Sequence, residues 1–240
     1  MSATPTATLF LDDAYARSCT ARVVAARPDG VVLDQTVAYA AGGGQPGDRG
    51  TLEVGVSVFR LADTLKAPES GLILHRLVPD ADAFAPEAEV AVEIDWPRRH
   101  LLMRTHSAMH LLCAAVPGSV TGGQVGEGKG RLDFDLPDVA IDKAALEVQL
   151  NAWVADDRAI SAEWIDDGEF DRRPELVRTL SVKPPRGQGR VRLVRIDGVD
   201  LQACGGTHVR ATAEIGPLRV LKVENKGRHN RRVTIAVDDV

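Results

Sequence analysis

Cysteine is scarce in this chain. Its 240 residues contain three: Cys19, Cys113 and Cys204, an odd number at wide spacing. That argues against a disulfide framework and for a reducing compartment, so a cytoplasmic location is expected. No apolar run reaches the ~18 residues that would span a membrane. The opening stretch, MSATPTATLFLDD, lacks a basic segment followed by a long apolar one, so no secretory signal is expected. Internal repeats and long low-complexity tracts are also missing. What remains is ordinary for a soluble globular protein, with 44% apolar and 26% charged residues. The length fits one large domain or two small ones.

The net charge of −5 hides an asymmetry. Residues 1–96 carry 7 basic and 14 acidic side chains, net −7, and residues 97–240 carry 22 and 20, net +2. Within the latter, 168–240 has 15 basic against 9 acidic, net +6. A polyanion would therefore meet the C-terminal part. The candidates to meet it are Arg186, Arg190, Arg228, Arg231 and Arg232.

The N-terminal third reads as short strands. ATLFL opens it, and CTARVVAA and VVLDQTV flank a Pro-Asp-Gly turn. TLEV and SVFRLAD follow, divided by Gly55, then GLILHRLV and EAEVAVEID. This pattern predicts a small β-barrel or folded sheet. Inside it, AAGGGQPGDRG holds Gly42, Gly43, Gly44 and Gln45 in an expected exposed loop. It lacks the Lys-Ser/Thr ending of a phosphate-binding loop. A boundary falls near Asp95–Pro97, giving domains 1–96 and 97–240. Beyond it, WPRRHLLMRTHSAMHLLCAAV reads as a helix, with Pro97 in its first turn and Leu102, Met109 and Val116 on one apolar face. PGSVTGGQVGEGKG reads as a second flexible loop and RLDFDL as a half-buried strand. AIDKAALEVQLNAWVADD is a helix with Leu146, Leu150 and Trp153 on one face. AISAEWI, GRVRLVRI and VDLQA are strands, with a short helix starting near Pro174. PLRVLKVENKGRHNRRVTIAVD is a hairpin with a basic tip. The whole is α+β: a small N-terminal β-barrel-like domain followed by an α+β two-layer sandwich.

His106 and His110 sit at i and i+4 on the first helix, which stacks both imidazoles on one face. QACGGTHV adds Cys204 and His208 at the same spacing around a glycine turn. Of six histidines and three cysteines, four fall into these two pairs. Thiolate and imidazole are both zinc ligands, so a Zn2+ site of His106, His110, Cys204 and His208 is expected. A closed four-ligand set normally reads as structural, so catalysis would need one ligand to leave or to act on a proton. His208 is the first candidate, and His106 fits equally well. The helix reads HSAMH rather than HExxH, which removes a metalloprotease. The Gly-Gly-Gln tripeptides at 43–45 and 122–124 evoke release factors, but glycine is abundant and Pro46 alters the first copy.

GGGQPGDRG, RTHSAMHLL, RLDFDL, CGGTHV with ATAEIG after it, and KVENKGRHNRR resemble the successive motifs of the alanyl-tRNA synthetase editing region. They resemble especially its free-standing AlaX-type trans-editing relatives, in the two-domain form. The likeness runs from about Tyr39 to Val237. The GGGQPGD element favours the alanyl over the threonyl branch. This chain departs from relatives at Ala40 and Ala41, where proline and a polar residue are common. The resemblance implies zinc-dependent hydrolysis of mischarged alanine tRNA, Ser-tRNA(Ala) and Gly-tRNA(Ala), in the service of translation fidelity. No aminoacylation motif is present, so editing without charging is expected. Editing of Ser-tRNA(Thr), or RNA binding around a structural zinc without catalysis, are the alternatives. To cut Ser-tRNA and spare Ala-tRNA, a site must hydrogen-bond the serine hydroxyl. Thr105, Thr121 and Gln124 are candidates for that contact. The glycine loop is expected to shape substrate selection rather than hydrolysis.

Overall fold

The computed structural model describes residues 4–67, 71–78, 84–137, 139–177 and 189–237. Its fold is α+β. Its packing divides it into two compact units, Met1–Gly42 with Pro46–His100, and Gly43–Gln45 with Leu101–Val240.

In the first unit, β1 (Ala7–Thr8) and a single helical turn α1 (Leu9–Asp12) precede β2 (Ser18–Arg27), β3 (Gly30–Leu33) and β4 (Gln35–Thr36). After them come β5 (Gly50–Val54), β6 (Ser57–Lys66), β7 (Ile73–Val78) and β8 (Glu89–Ile94). Six of these close a barrel in the order β2-β3-β7-β6-β5-β8. Alternation explains the closure: along β8, Val90, Val92 and Ile94 point inward while Glu89, Ala91 and Glu93 face out. Val23, Val31, Leu33, Leu52 and Leu61 complete the interior at 0% exposure. Each contributes roughly 1.5–3 kcal/mol by leaving water. The Pro-Asp turn joins Arg27 to Gly30, and Gly55, with φ +59°, turns β5 into β6. ATLFL is not one strand. Two residues pair with β4, then the chain coils so that Phe10 meets the Tyr39 ring edge-on at 5.3 Å.

Two buried polar groups mark this unit. Arg99, 0% exposed, is ion-paired through its guanidinium to Asp48 and also donates to the carbonyls of Ala14 and Val37. Asp48 in turn accepts the Tyr39 N–H at 2.7 Å. His75 lies at 0% exposure, its Nδ1 3.3 Å from the Val31 carbonyl and its Nε2 2.8 Å from the Thr36 hydroxyl.

Helix α2 (Trp96–Ala115) leads into the second unit. There follow β9 (Ser119–Val125), β10 (Lys129–Asp135), α3 (Lys143–Ala155), β11 (Ile160–Asp166), α4 (Asp167–Asp171), β12 (Arg190–Ile196), β13 (Asp200–Ala203), β14 (Leu218–Asn225) and β15 (Asn230–Val237). One antiparallel sheet runs β14-β15-β10-β9, and a second runs β11-β12-β13. The stretch expected as a flexible loop after α2 is the edge strand β9, paired with β10. Its glycines serve packing: a Cβ on Gly123 would stand 2.9 Å from Leu132 Cδ2. Helix α3 is capped by Asp142, whose carboxylate accepts the N–H groups of Ala144 and Ala145 at 2.9 and 3.1 Å. Such a cap is worth about 1 kcal/mol. Its buried stripe is Leu146, Leu150 and Val154, with the expected Trp153 only half-buried, because the stripe runs at i, i+4, i+8. Asn151 clips α3 to β14 by exchanging two hydrogen bonds with Leu218. The helix expected near Pro174 is a 3₁₀ turn, Pro174–Leu176.

Helix α2 presents two faces within this unit. Thr105 and Met109 lie against Gly130 of β10, where a Cβ would meet both side chains. His106, His110 and Cys113 lie on another face, and the latter two approach Gln202 of β13.

Candidate metal centre

The four expected ligands converge. The ligand atoms of His106, His110, Cys204 and His208 lie within 4.8 Å of one another. The i, i+4 spacing on α2 stacks His106 and His110, ring centroids 5.3 Å apart. β13 ends at Ala203, and the turn that follows carries Cys204 and His208 back toward the helix. The Cys204 N–H donates to the Arg192 carbonyl, and Arg192 Nη1 donates to the carbonyls of Cys204 and Gly206 at 2.9 and 3.1 Å. Gly206 cannot be another residue without disturbance. A Cβ there would collide with the His106 ring and stand 2.9 Å from Gln45 Oε1.

Each imidazole has its Nδ1 engaged. His106 Nδ1 is 2.8 Å from Gln45 Oε1. That amide is oriented by Thr207, whose N–H donates to Oε1 at 3.2 Å and whose hydroxyl accepts from Nε2 at 2.8 Å. Gln45 therefore accepts from His106, so Nδ1 carries the proton and Nε2 presents a lone pair. His208 Nδ1 is 3.1 Å from Ser107 Oγ, which also accepts the Val209 N–H. His110 Nδ1 is 3.1 Å from Gln202 Nε2 and 3.5 Å from Asp200 Oδ2. Gln202 Nε2 donates to that same carboxylate at 2.5 Å.

Cys204 Sγ lies 3.7 Å from His106 Nε2 and 3.3 Å from His208 Nε2. Ligands held at about 2.0–2.3 Å around a tetrahedral ion stand about 3.3–3.8 Å apart. Donor types, spacing and the held Nδ1 atoms thus fit a tetrahedral cation. The electrostatics agree. Burial alone would raise the Cys204 thiol, but the imidazoles of His106, His208 and His110 outweigh it and hold it well below the usual thiol range. Burial, joined by His106, drives His208 well below an ordinary histidine. At His110 burial pulls downward, yet the neighbouring Cys204 and Asp200 hold it up at about 9.

The other expected site residues fall elsewhere. Thr105 donates its hydroxyl to the Leu101 carbonyl one turn back, 2.9 Å away. Thr121 donates toward the Asp133 carbonyl and lies 3.1 Å from Asn230 Oδ1. Gln124 is exposed on β9 and accepts from Arg131. Among the described residues, no hydrogen bond ties these three to the metal cluster. Gly43 and Gly44, with φ +57° and +84°, turn the glycine loop, and the Gly44 carbonyl accepts the Val125 N–H at 2.8 Å. Gly42 accepts from the Tyr39 hydroxyl within the first unit. Arg190 begins β12, and Arg228 is exposed at the β14–β15 tip. Arg231 and Arg232 lie within β15, where Arg232 is bidentate on Asp133 at 2.6 and 2.8 Å. Arg186 lies outside the described residues.

The glycine loop, expected to be exposed and to shape substrate selection rather than hydrolysis, buries Gln45 against the His106 ring of the cluster. Sequence reading also passed over Ser107, Asp200 and Gln202. The signal for the last two was present: strand alternation puts positions 200, 202 and 204 on one face.

A closed barrel in one unit and, in the other, an α+β fold with a two-histidine, cysteine, histidine cluster define a class, and sequence comparison names it. Residues 191–234 match the family described as threonyl and alanyl tRNA synthetase second additional domain. Residues 6–98 match the class II (A) tRNA synthetase family, which extends the likeness upstream of Tyr39. The alanyl-tRNA editing protein AlaX-M of Saccharolobus solfataricus is 34% identical over 95% of this chain and 98% of its own. That of Methanosarcina acetivorans is 33% identical over 98% of this chain and 100% of its own. The alanine–tRNA ligase of Pyrococcus abyssi is 34% identical over 91% of this chain but only 24% of its own length. The chain belongs to the AlaX-M family of alanyl-tRNA editing proteins.

Proposed function

We propose that this protein is a zinc-dependent trans-editing hydrolase that deacylates mischarged alanine tRNA, Ser-tRNA(Ala) and Gly-tRNA(Ala), in the cytoplasm. The observation that carries the reading is the convergence of four donor atoms within 4.8 Å in a chain of an alanyl-tRNA editing family. His106, His110, Cys204 and His208 would hold the Zn2+. When bound, such an ion polarises an ester carbonyl or lowers the pKa of a water to about 7. Cys204, whose thiol its surroundings hold well below the usual thiol range, would serve as ligand rather than nucleophile. Gln45 and Ser107 fix the rings of His106 and His208, the two candidates for moving a proton to or from the ester. Of the side chains considered for the serine hydroxyl, Gln124 donates its amide N–H groups to no partner among the described residues, whereas the Thr105 and Thr121 hydroxyls already have partners. Arg190, Arg228 and Arg231 supply positive charge for the tRNA backbone, with Arg186 as a further candidate. Three free cysteines suit a reducing compartment, and no described helix is long and apolar enough to cross a membrane.

The test is deacylation of Ser-tRNA(Ala), Gly-tRNA(Ala), Ser-tRNA(Thr) and Ala-tRNA(Ala) by metal-analysed protein. Rapid loss of serine from alanine tRNA, with Ala-tRNA spared, is expected. Binding without hydrolysis would instead favour a structural zinc in an RNA-binding module, the reading that a closed four-ligand set favours.

A further inference from the structure

Trp164 is an unusual residue for an edge strand. It is 42% exposed on β11, and the Arg190 guanidinium lies over its ring, 5.2 Å from the centroid. The strand register gives this pair a position. Trp164 is the cross-strand partner of Arg192. Leu193 is the partner of Ala203, and the Cys204 N–H donates to the Arg192 carbonyl at 3.1 Å. Trp164, Arg192 and Cys204 therefore stand in one row across the sheet. Side chains alternate between faces, so Trp164 shares its face with Arg192, Gln202 and the metal-ligating thiol. Two strand spacings separate the ring's backbone from that of Cys204, about 10 Å. Asp166, the register partner of Arg190, lies exposed on the same face.

An exposed indole stacked by a guanidinium is a platform for a nucleobase, since any base offers a π-face and the cation adds attraction. About 10 Å is the span of about three stacked nucleotides at ~3.4 Å each. An ester placed at the metal cluster would thus put the last nucleotides of a single strand within reach of this ring. We propose that Trp164, assisted by Arg190, stacks a nucleobase of the single-stranded 3′ end of the tRNA and thereby positions the aminoacyl ester at the four-ligand centre. This rests on the reading of mischarged tRNA as substrate. Trp164 is a substrate-binding residue in this scheme, and Arg192, its buried cross-strand partner, donates to the carbonyls of the Cys204 turn.

The experiment uses the full chain with its metal, comparing Trp164→Ala, Trp164→Phe and Arg190→Ala with the parent. The probes are uncharged alanine tRNA, a short RNA oligonucleotide of its 3′ single strand, and Ser-tRNA(Ala). Trp164→Ala should weaken both uncharged probes about tenfold, the scale of one lost base stack. It should raise KM for Ser-tRNA(Ala) by a similar factor while kcat and metal content stay within about twofold. Trp164→Phe should recover most of the affinity. Arg190→Ala should weaken binding about threefold and lower the salt slope by about one. An unchanged oligonucleotide Kd in Trp164→Ala overturns the proposal. So does a loss that Trp164→Phe shares in full, or one accompanied by loss of metal. If the parent protein hydrolyses no mischarged tRNA, the functional reading fails on its own, and the oligonucleotide Kd still decides the stacking.

Discussion

Two regions of this molecule bury histidine, and they do so in opposite ways. In the barrel, His75 is wholly enclosed and both its ring nitrogens have partners, a carbonyl and a hydroxyl. Burial pushes it down to about 4, and it stays neutral. In the second unit, three histidines are buried almost as deeply, at 5–7% exposure. There one nitrogen of each is held by Gln45, Ser107 or the Asp200–Gln202 pair, while the ligand atoms converge with a thiol. Burial and a displaced pKa are common to both regions. What separates a site from a core residue is where the second ring nitrogen points, to a hydroxyl of the barrel in one case and to a shared centre with a thiol in the other.

The sharpest way to break this contrast is at Cys204. Replacing it with Ala removes the sulfur on which the His106 and His208 Nε2 atoms converge. Deacylation of Ser-tRNA(Ala) should fall more than a hundredfold, exceeding the ~10–100-fold typical of outer partners, and bound metal should drop below stoichiometric amounts. Full activity in this variant would take the thiol out of the centre. A smaller effect is expected at Gln45. Gln45→Leu removes the acceptor of His106 Nδ1–H and should weaken metal retention about 10–100-fold in a chelator competition. Unchanged retention with altered Ser-tRNA to Ala-tRNA selectivity would return the loop to a purely selective role. The third effect belongs to the barrel and falls on stability, with the smallest consequence for deacylation. Holding His75 at about 4 rather than the ordinary 6.5 makes protonation favour the unfolded chain. Stability from this residue is complete above pH about 6.5 and is lost as pH falls to about 4, about 3 kcal/mol in all. Denaturant unfolding across that range should show a shallower acid slope for His75→Gln. An equal slope would assign the acid sensitivity to other groups.

The contrast also explains what could be read from the sequence. The two pairs that converge, His106 with His110 and Cys204 with His208, were legible because a helix and a glycine turn both repeat at i, i+4. The barrel strands were legible because Val90, Val92 and Ile94 alternate. Strand β9 was not, since its glycines suit a loop as well as an edge strand packed close to Leu132. Gln45 escaped because its hydrogen bond to His106 spans 61 residues of chain and depends on a turn with two positive-φ glycines. Ser107, beside a ligand in sequence, bonds not to that neighbour but to His208. Arg232 looked like free charge and is instead spent on Asp133, a partner 99 residues away.

The four converging side chains arise from two segments with roughly ninety residues of chain between His110 and Cys204. A cation shared by them would therefore also be a cross-link. In the unfolded chain, tying such distant points together removes conformational freedom on the scale of a long-loop disulfide, about 4–5 kcal/mol. The cysteines of this chain are free, and a metal staple would supply the constraint that a disulfide gives. The second unit would then be expected to melt at a temperature set as much by chelator as by denaturant, even where no tRNA is present.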